Sequence, residues 1–523
     1  MKSCDLLSNS KLISFCKKSL VAILFACFSG GYLIAQIKLP AIISDNMVLQ
    51  QNQKVALWGW AAPSEKVTIK PSWGSKPVET KADASGKWMT EVKTEKAGGP
   101  FTIAFQASNN VEVKNVMLGE VWLASGQSNM EFFMAKIPTS GSYNGEIHAP
   151  TEMPLADYPN IRNFDVPNVV ADEPQQDTKG RWVTCSPQTI DSFSAVAYYF
   201  AKDLFKKTGF PIGIINSTWG GTPAESWTRK DLLAADPDLS PILTRYDQAV
   251  ADYPAGHEKF RVELEKWRAD TSKKKRSAPA DPLGPRSNKS PYKLYNGMIA
   301  PLIPYTLKGT IWYQGESNAE YAYQYRKLFA TMINEWRSEF KNENMPFYFV
   351  QISPHRSQNA EIRDAQLYVY QHLKNMGMVV TTDNGDSLNI HPRNKQLVGE
   401  RLALWAKHFE YGEKDLVYTA PIYKSAKVEG NKIRINFDHL EDGLKPEDNL
   451  IEFTIAGANQ TFIPAQAKVD GNTVVVWADN LSNPVAVRFA WRSVPKPNLL
   501  SKSGLPVSPF RTDDWKLETQ DKR

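Results

Sequence analysis

The chain has 523 residues, of which 42% are hydrophobic and 23% are charged. This length exceeds that of one ordinary domain, and the composition is that of a globular protein with packed cores. The formal net charge is +6, but residues 1–35 contain four lysines and one aspartate, so the remainder carries only +3. A charge this small argues against a nucleic acid as partner.

Residues 1–35 have the pattern of an export signal. Three lysines precede an apolar run at 20–28, and Ala35 offers a small residue at the cleavage position. The run is short for a membrane span and is broken at 29–31, so we expect no stable membrane insertion after cleavage, with a retained anchor as the alternative. The protein is therefore predicted to be exported, either periplasmic or secreted. The mature chain would keep only Cys185 and hence have no internal disulfide.

Residues 36–116 are predicted to form a small β-sandwich-like domain. Short segments rich in β-branched and aromatic residues are separated by Pro, Gly, Ser and Asp, which is the pattern of strands joined by turns. The predicted strands are VALWGW (55–60), KVTIK (66–70), KWMTEV (87–92) and FTIAF (101–105).

Strand-like and helix-like segments alternate over residues 117–415, which predicts an α/β domain with a parallel, doubly wound sheet. The clearest helix begins near Tyr321, where apolar residues recur at spacings of three and four as far as Phe340. A charged helical insertion is predicted at about 229–290. The predicted strands are VWLA (121–124), IGIIN (212–216), GTIWYQ (309–314), FYFVQI (347–352) and MVVTT (378–382), and further helices are predicted around Ala195–Lys207, from about Ile362 and from about Lys395.

Residues 416–523 return to short β-rich segments, which predicts a second β-rich module at the C-terminus. Its predicted strands are KIRINF (432–437), FTIAG (453–457), TVVVWA (473–478) and VAVRFAW (485–491).

Four polar loops of the α/β segment are expected to meet in space, because the carboxyl ends of parallel strands converge at one edge of a sheet. Three of these loops follow predicted strands directly, and the fourth carries a histidine. The loops are SGQSNM (125–130), STWGGT (217–222), QGESN (314–318) and NIHP (389–392).

These loops contain the residue types that acyl transfer needs. Ser128 can act as a nucleophile once a histidine removes its proton, although a lone serine in a turn is more often structural. Gly220-Gly221 would let backbone N–H groups approach a tetrahedral oxyanion, and Gln314 or Asn318 can supply an amide donor. Glu316 is interpreted as a buried residue that holds its loop, with an acid role as the alternative.

Several longer blocks of the sequence match a known family. They are LPAIISDNMVLQ (39–50), GEVWLASGQSNM (119–130), NSTWGGTPAESW (216–227), YNGMIAPLIPYTLKGTIWYQGESNA (295–319), IHPRNKQLVGERLALWA (390–406) and GLPVSPFRTDDW (504–515). In these blocks, which extend over nearly the whole mature chain, the sequence resembles the sialate O-acetylesterase family of SGNH (GDSL-like) hydrolases.

The resemblance implies a flavodoxin-like SGNH hydrolase domain and assigns roles to individual residues. It implies Ser128 as nucleophile and His391 as base, with Gly221 or Gly220 in the oxyanion hole. Related carbohydrate esterases place the glutamine of the QGES block, here Gln314, in the same hole.

The histidine lacks the nearby carboxylate that many SGNH enzymes have two or three residues before it. The stretch before His391 reads Ser-Leu-Asn-Ile, so the side-chain carbonyl of Asn389 or a backbone carbonyl is expected to accept the Nδ1–H bond. This arrangement would be a Ser–His dyad with a neutral orienting group. Asp386 and Asp383 are the competing candidates for a charged partner.

We therefore predict an exported serine esterase that removes O-acetyl groups from a carbohydrate, with sialic acid as the favoured sugar. An esterase for acetylxylan or another glycan is the first alternative, and a non-catalytic carbohydrate-binding homologue is the second. The expected partner is an acetylated carbohydrate. The sequence has no HExxH motif and no paired-cysteine spacing, so neither a metal nor another cofactor is expected.

Overall fold

The computed structural model describes residues 36–136, 144–271 and 278–523, so the predicted export signal at 1–35 lies outside the described residues. The N-terminal part consists mainly of antiparallel strands. Strand β3 pairs with β4 and β6, β6 pairs with β7, and β2 forms a separate pair with β5. The strands of this part are β1 (Val48–Gln50), β2 (Lys54–Trp60), β3 (Lys66–Pro71), β4 (Val78–Lys81), β5 (Lys87–Lys93), β6 (Gly98–Gln106) and β7 (Asn110–Gly126).

Strand β7 joins this antiparallel part to the central sheet. It is 17 residues long, whereas the sequence predicts a strand only over residues 121–124. Its first half pairs with β6, and its last seven residues, from Glu120 to Gly126, pair in parallel with the strand at 212–218. Because residues 116–126 are all buried, the strand continues through the predicted domain boundary after residue 116 without interruption.

The central sheet is mostly parallel, as the alternating pattern predicts. Its strand order is β13-β12-β11-β7-β10-β8-β9, and only the edge pair β8–β9 is antiparallel. Every residue of β10 and β11 is buried, as expected for strands covered on both faces. The strands added here are β8 (Tyr158–Asp165), β9 (Trp182–Cys185), β10 (Ile212–Thr218), β11 (Gly309–Tyr313), β12 (Phe347–Val350) and β13 (Met376–Val379).

The last parallel strand differs from its prediction at 378–382. Strand β13 begins two residues earlier and ends at Val379. Thr381 lies beyond the strand, where its hydroxyl donates a hydrogen bond of 2.7 Å to the carbonyl of Gln351. This side-chain bond holds the loop after β13 against the loop after β12. The β-branched threonines at the end of the predicted strand therefore belong to a loop.

Helices cover both faces of the central sheet. Helices α3 and α8 pack together on one face, and α6 and α7 pack together on the other. Ser194, Asn359 and Asn394 cap the first turns of α3, α7 and α8 by accepting backbone N–H bonds. The α-helices are α1 (Ser128–Glu131), α2 (Ala149–Glu152), α3 (Ala195–Thr208), α4 (Lys230–Ala235), α5 (Ser240–Ala269), α6 (Ala322–Glu339), α7 (Ala360–His372) and α8 (Lys395–Phe409).

Shorter helical turns connect several of these elements. The charged segment at about 229–290 contains α4 and the long helix α5. The turns are 3₁₀-helices at Met153–Leu155, Ile190–Ser192, Ala224–Trp227, Ala300–Leu302 and Glu316–Tyr321, and a π-helix at Tyr295–Ile299. Over the described ranges, no helix is both long enough and apolar enough to span a bilayer.

The C-terminal part consists of two antiparallel four-stranded sheets, which confirms the predicted return to β structure. One sheet has the order β14-β15-β19-β18 and the other has the order β17-β16-β20-β21. The strands are β14 (Ile422–Glu429), β15 (Lys432–Asp438), β16 (Phe453–Ala456), β17 (Phe462–Pro464), β18 (Gln466–Asp470), β19 (Thr473–Trp477), β20 (Ala486–Phe489) and β21 (Phe510–Arg511).

The close contact between α3 and α8 depends on Gly399. A Cβ at this position would lie 2.7 Å from the Cβ of Tyr199 and 2.7 Å from the carbonyl oxygen of Val196. We expect Gly399→Ala to lower the free energy of unfolding by about 1–3 kcal/mol, because overpacking outweighs the higher helix propensity of alanine. Urea-induced unfolding followed by circular dichroism measures the change.

Gly256→Ala in helix α5 is the matched control. Among the residues that the structure describes, the nearest atoms to a Cβ at position 256 belong to the ring of Pro282, at 3.2 Å, so we expect a clearly smaller loss of stability. Equal losses of stability in the two variants would contradict the prediction that the close packing of α3 and α8 at Gly399 excludes a larger side chain.

Candidate active site

A cleft of about 750 Å³ opens at the carboxyl ends of the central strands. It lies where the strand order reverses, since β10 follows on one side of β7 and β11 on the other. In open α/β sheets this reversal leaves a crevice between the loops, which is where ligands bind. The lining residues that matter most below are Ser128, Trp219, Gly220, Gly221, Glu316 and His391.

Ser128 reaches the cleft because the chain turns sharply at the end of β7. Gly126 has a φ of 135°, and a Cβ there would lie 2.3 Å from the carbonyl oxygen of Tyr313 on β11. The same carbonyl accepts a hydrogen bond of 3.0 Å from the backbone N–H of Gln127. Helix α1 then begins at Ser128, whose side chain faces the loop after β13.

His391 lies directly opposite Ser128. Its Nε2 is 2.8 Å from the hydroxyl oxygen of Ser128, so the structure brings together two residues that are 263 positions apart in the chain. Burial lowers the pKa of His391 to about 4, and the charges of Lys395 and His355 act in the same direction. The imidazole is therefore neutral at neutral pH, and an unprotonated Nε2 can accept the proton of the serine hydroxyl.

The three candidate orienting side chains make other contacts. The oxygen of Asn389 accepts a hydrogen bond of 3.0 Å from the backbone N–H of His391, so this side chain shapes the turn instead of meeting the ring as predicted. The two-residue spacing explains the difference, because an asparagine commonly bonds to the backbone two residues on. Asp386 accepts N–H bonds from residues 388 and 389, and Asp383 forms an ion pair with Arg401.

Gln314 and Asn318 are adjacent, but their amides are used inside the protein. The Nε2 of Gln314 donates to the carbonyl of Thr222 at 3.2 Å and to Oδ1 of Asn318 at 2.7 Å. Asn318 donates in turn to the carboxyl group of Glu225 at 2.8 Å, and burial raises the pKa of that group. This network ties the end of β11 to the loop after β10, which corrects the expectation that either amide donates directly into the cleft.

Gly220 and Gly221 do lie on the cleft wall that Ser128 also lines. Gly221 has a φ of 74°, a left-handed conformation that favours glycine. The loop is fixed on either side, because the N–H of Trp219 donates to the carbonyl of Gly126 and the hydroxyl of Thr222 donates to the carbonyl of Trp219. Of the predicted oxyanion residues, these two glycines are the ones that the structure places at the cleft.

Asn129, the residue after Ser128, makes contacts within the site that were not predicted from the sequence. The Nδ2 of Asn129 donates to the carboxylate of Glu316 at 2.6 Å and to the carbonyl of Ile390 at 3.1 Å. Its Oδ1 accepts a hydrogen bond of 2.6 Å from the ammonium group of Lys395. The sequence signal was Lys395 at the start of a predicted helix. Because Arg393 and Asn394 before it are also polar, the sequence is equally compatible with an exposed lysine.

Lys395 and Glu316 are unusual because both ionisable groups are buried. Burial lowers the pKa of Lys395 to about 7, while the negative charges of Glu316 and Glu146 oppose that shift. Burial likewise raises the pKa of Glu316. Opposite charges beside each other in a poorly solvated site keep these groups ionised more readily than either would be alone.

Comparison with known proteins shows the family. The profile of the family described as carbohydrate esterase, sialic acid-specific acetylesterase, matches residues 286–407. The sialate O-acetylesterase of Mus musculus is 28% identical over 88% of this chain and 90% of its own length, and that of Homo sapiens is 28% identical over 90% and 92%. A crystal structure of a carbohydrate acetylesterase from Xanthomonas citri is 35% identical, covers 92% of this chain and 100% of its own, and superposes with a TM-score of 0.77.

The fold and the cleft therefore belong to an esterase, a hydrolase of carboxylic esters. More particularly, the chain belongs to the sialate O-acetylesterase family of carbohydrate esterases, which confirms the resemblance seen in its sequence blocks.

The lowered pKa of His391 predicts how activity depends on pH. Because the histidine must be unprotonated to accept a proton, kcat/KM on an acetyl ester should be lost only as pH falls through about 4. The measurement is kcat/KM for 4-nitrophenyl acetate between pH 3.5 and 6.5, with circular dichroism at each pH to exclude unfolding. An acid limb near pH 6.5, the ordinary value for histidine, would contradict this prediction.

Proposed function

We propose that the cleft hydrolyses O-acetyl esters of a carbohydrate, with Ser128 as nucleophile and His391 as general base. The observation that carries the proposal is the 2.8 Å contact between the serine hydroxyl and the imidazole Nε2 in an open cleft. A hydroxyl becomes a competent nucleophile when such a base removes its proton. The names of the related proteins support an acetylated sugar as the substrate, and sialic acid is the favoured sugar.

The reaction would proceed through an acetyl-enzyme. The oxygen of Ser128 attacks the acetyl carbonyl carbon while its proton passes to Nε2 of His391. The bond from that carbon to the sugar oxygen then breaks, and the sugar oxygen takes the proton from His391. A water molecule attacks the acetyl-serine by the same steps and releases acetate.

Other residues in and beside the cleft support this assignment. The backbone at Gly220-Gly221 lies on the wall where the oxyanion of the tetrahedral intermediate would form, and backbone N–H groups are its usual donors. The ring of Trp219 is half-buried in the same wall and offers an apolar surface for a sugar ring. We propose that Asn389 contributes to catalysis by shaping the turn that presents His391.

The finer classification of the fold follows from the order of the helix-connected strands. We infer a flavodoxin-like SGNH hydrolase domain, because β10-β7-β11-β12-β13 corresponds to the order 2-1-3-4-5 when β7 is counted first. On this view β8 and β9 extend one edge of the sheet. The antiparallel strands before and after this region are proposed to form sandwich-like modules at 36–116 and 416–523.

Replacement of Ser128 tests the nucleophile and the substrate together. We expect Ser128→Ala to lower kcat for acetate release by several orders of magnitude, as loss of a nucleophile does, with the fold unchanged. The assay compares O-acetylated sialic acids, acetylated xylan oligosaccharides and a simple acetyl ester. The favoured function predicts the highest kcat/KM on the sialic acids.

Ser317→Ala is the matched control, because Ser317 lines the same cleft without a hydrogen bond to His391. Its loss of kcat should be within tenfold. Near-normal turnover by Ser128→Ala would refute the nucleophile assignment. Acetate release from xylan oligosaccharides alone would leave the chemistry intact and replace sialic acid as the substrate.

We also propose that the protein is exported, on the strength of the signal pattern at residues 1–35. Expression of the full chain should give a protein whose N-terminus lies close to residue 36. N-terminal sequencing of the purified protein makes the measurement. A chain that still begins at Met1 would contradict export by a cleaved signal.

A further inference from the structure

The side-chain amide of Asn129 connects three of the loops that form the cleft. It belongs to the loop that carries Ser128, it donates to Glu316 after β11, and it donates to the carbonyl of Ile390, the residue just before His391. Lys395, at the start of α8, donates to the oxygen of the same amide. All three polar side chains are buried, and that of Lys395 is fully so.

The donor and acceptor chemistry of these neighbours leaves one orientation for the amide. An ammonium group can only donate, so the oxygen of Asn129 must face Lys395. A carbonyl can only accept, so the NH₂ group must face Ile390, and it then also donates to the carboxyl group of Glu316. The two buried side chains therefore orient the amide, and the oriented amide holds the backbone beside His391.

We propose that Asn129 is a positioning residue that, oriented by Lys395 and Glu316, fixes the loop of His391 against the turn of Ser128. This inference rests on the proposed function of the Ser128–His391 pair and goes beyond it by assigning roles to residues other than the nucleophile and the base. The hydrogen bond from Asn129 to the carbonyl of Ile390 matters because it sets the position of His391. Displacing a catalytic group by about 1 Å can cost 10²-fold in rate.

The charge of Lys395 adds an electrostatic role to this arrangement. The ammonium group lies 4.7 Å from the ring centroid of Phe132 and 5.4 Å from that of Tyr313, in surroundings that screen charge poorly. A cation here disfavours a second positive charge on the imidazole and so keeps His391 in its basic form. The charged and titratable groups around the pair are Lys395 on α8, His355 after β12, Glu316 after β11, Glu146 before α2 and Glu131 on α1.

Four substitutions separate the position of the amide from the charge of the lysine. Asn129→Ala removes the amide, whereas Asn129→Asp keeps its shape but presents an acceptor to Glu316 and Ile390. Lys395→Gln keeps a donor for Asn129 and removes the charge. Lys395→Met keeps most of the side-chain volume and removes both the hydrogen-bond donor and the charge.

We expect Asn129→Ala to lower kcat by about 10²-fold with a change in KM below threefold, because the base is displaced while the sugar contacts remain. Asn129→Asp should lose at least as much. Lys395→Gln should retain more kcat than Lys395→Met, and in both variants the acid limb of kcat/KM should move upward from about pH 4. The measurements are kcat, KM and kcat/KM from pH 3.5 to 6.5, which lies below the lowered pKa of Lys395 of about 7, together with thermal unfolding of each variant.

Gln396→Ala is the control on the same helix, since the side chain of Gln396 donates a hydrogen bond to the exposed Glu400 and does not line the cleft. The inference is overturned if Asn129→Ala keeps kcat within threefold of this control, or if the acid limb stays in place in Lys395→Gln. If Lys395→Met does not fold, Lys395→Gln and Asn129→Ala decide the result. Full activity in Ser128→Ala would instead refute the proposed function, whereas loss of activity in Ser128→Ala but not in Asn129→Ala would refute this inference alone.

Discussion

The chemistry of the site requires one contact, between the hydroxyl of Ser128 and the imidazole of His391. Two residues 263 positions apart must hold their side chains 2.8 Å from each other. Neither lies in a long regular element, since Ser128 begins a four-residue helix and His391 lies in a loop. The distance between the two side chains is therefore maintained by the sheet that carries both loops. The buried central strands β7, β10 and β11 form the middle of that sheet.

A network of buried polar side chains extends this support from the sheet to the loops. Gln314 and Asn318 join the loop after β11 to the loop after β10, and Asn129 joins the loops after β7 and β13. Lys395 completes the second connection and places a positive charge near the imidazole. Such networks are costly when only partly satisfied, so they specify one arrangement of the loops more sharply than apolar packing does.

The sequence predicts those parts of the fold that depend on local pattern. Helix α6 begins one residue after Tyr321, where its apolar periodicity starts, and α8 begins at Lys395, directly after the cap of Asn394. The antiparallel edge at β8 and β9 has no comparably strong pattern and was not predicted. The full length of β7 was not predicted from the sequence either. Its continuity past residue 116 is visible only from its pairing with β6 in the N-terminal part and with β10 in the central sheet. Among the site residues, Ser128, His391 and the two glycines line the cleft. The amides of Gln314, Asn318 and Asn389 bond elsewhere, because a short polar side chain takes whichever partner the folded backbone presents.

We propose that Ser128 and His391 act as a nucleophile and its base beside the backbone of Gly220-Gly221. A crystal structure of the protein inactivated by a serine-directed phosphonate tests these roles. We expect a phosphorus–oxygen bond to Ser128, a phosphoryl oxygen within hydrogen-bond distance of a backbone N–H at Gly220 or Gly221, and His391 on the other side of the adduct. A phosphonate attached to another residue, or a phosphoryl oxygen bound to Gln314 after rearrangement of its buried network, would contradict this proposal.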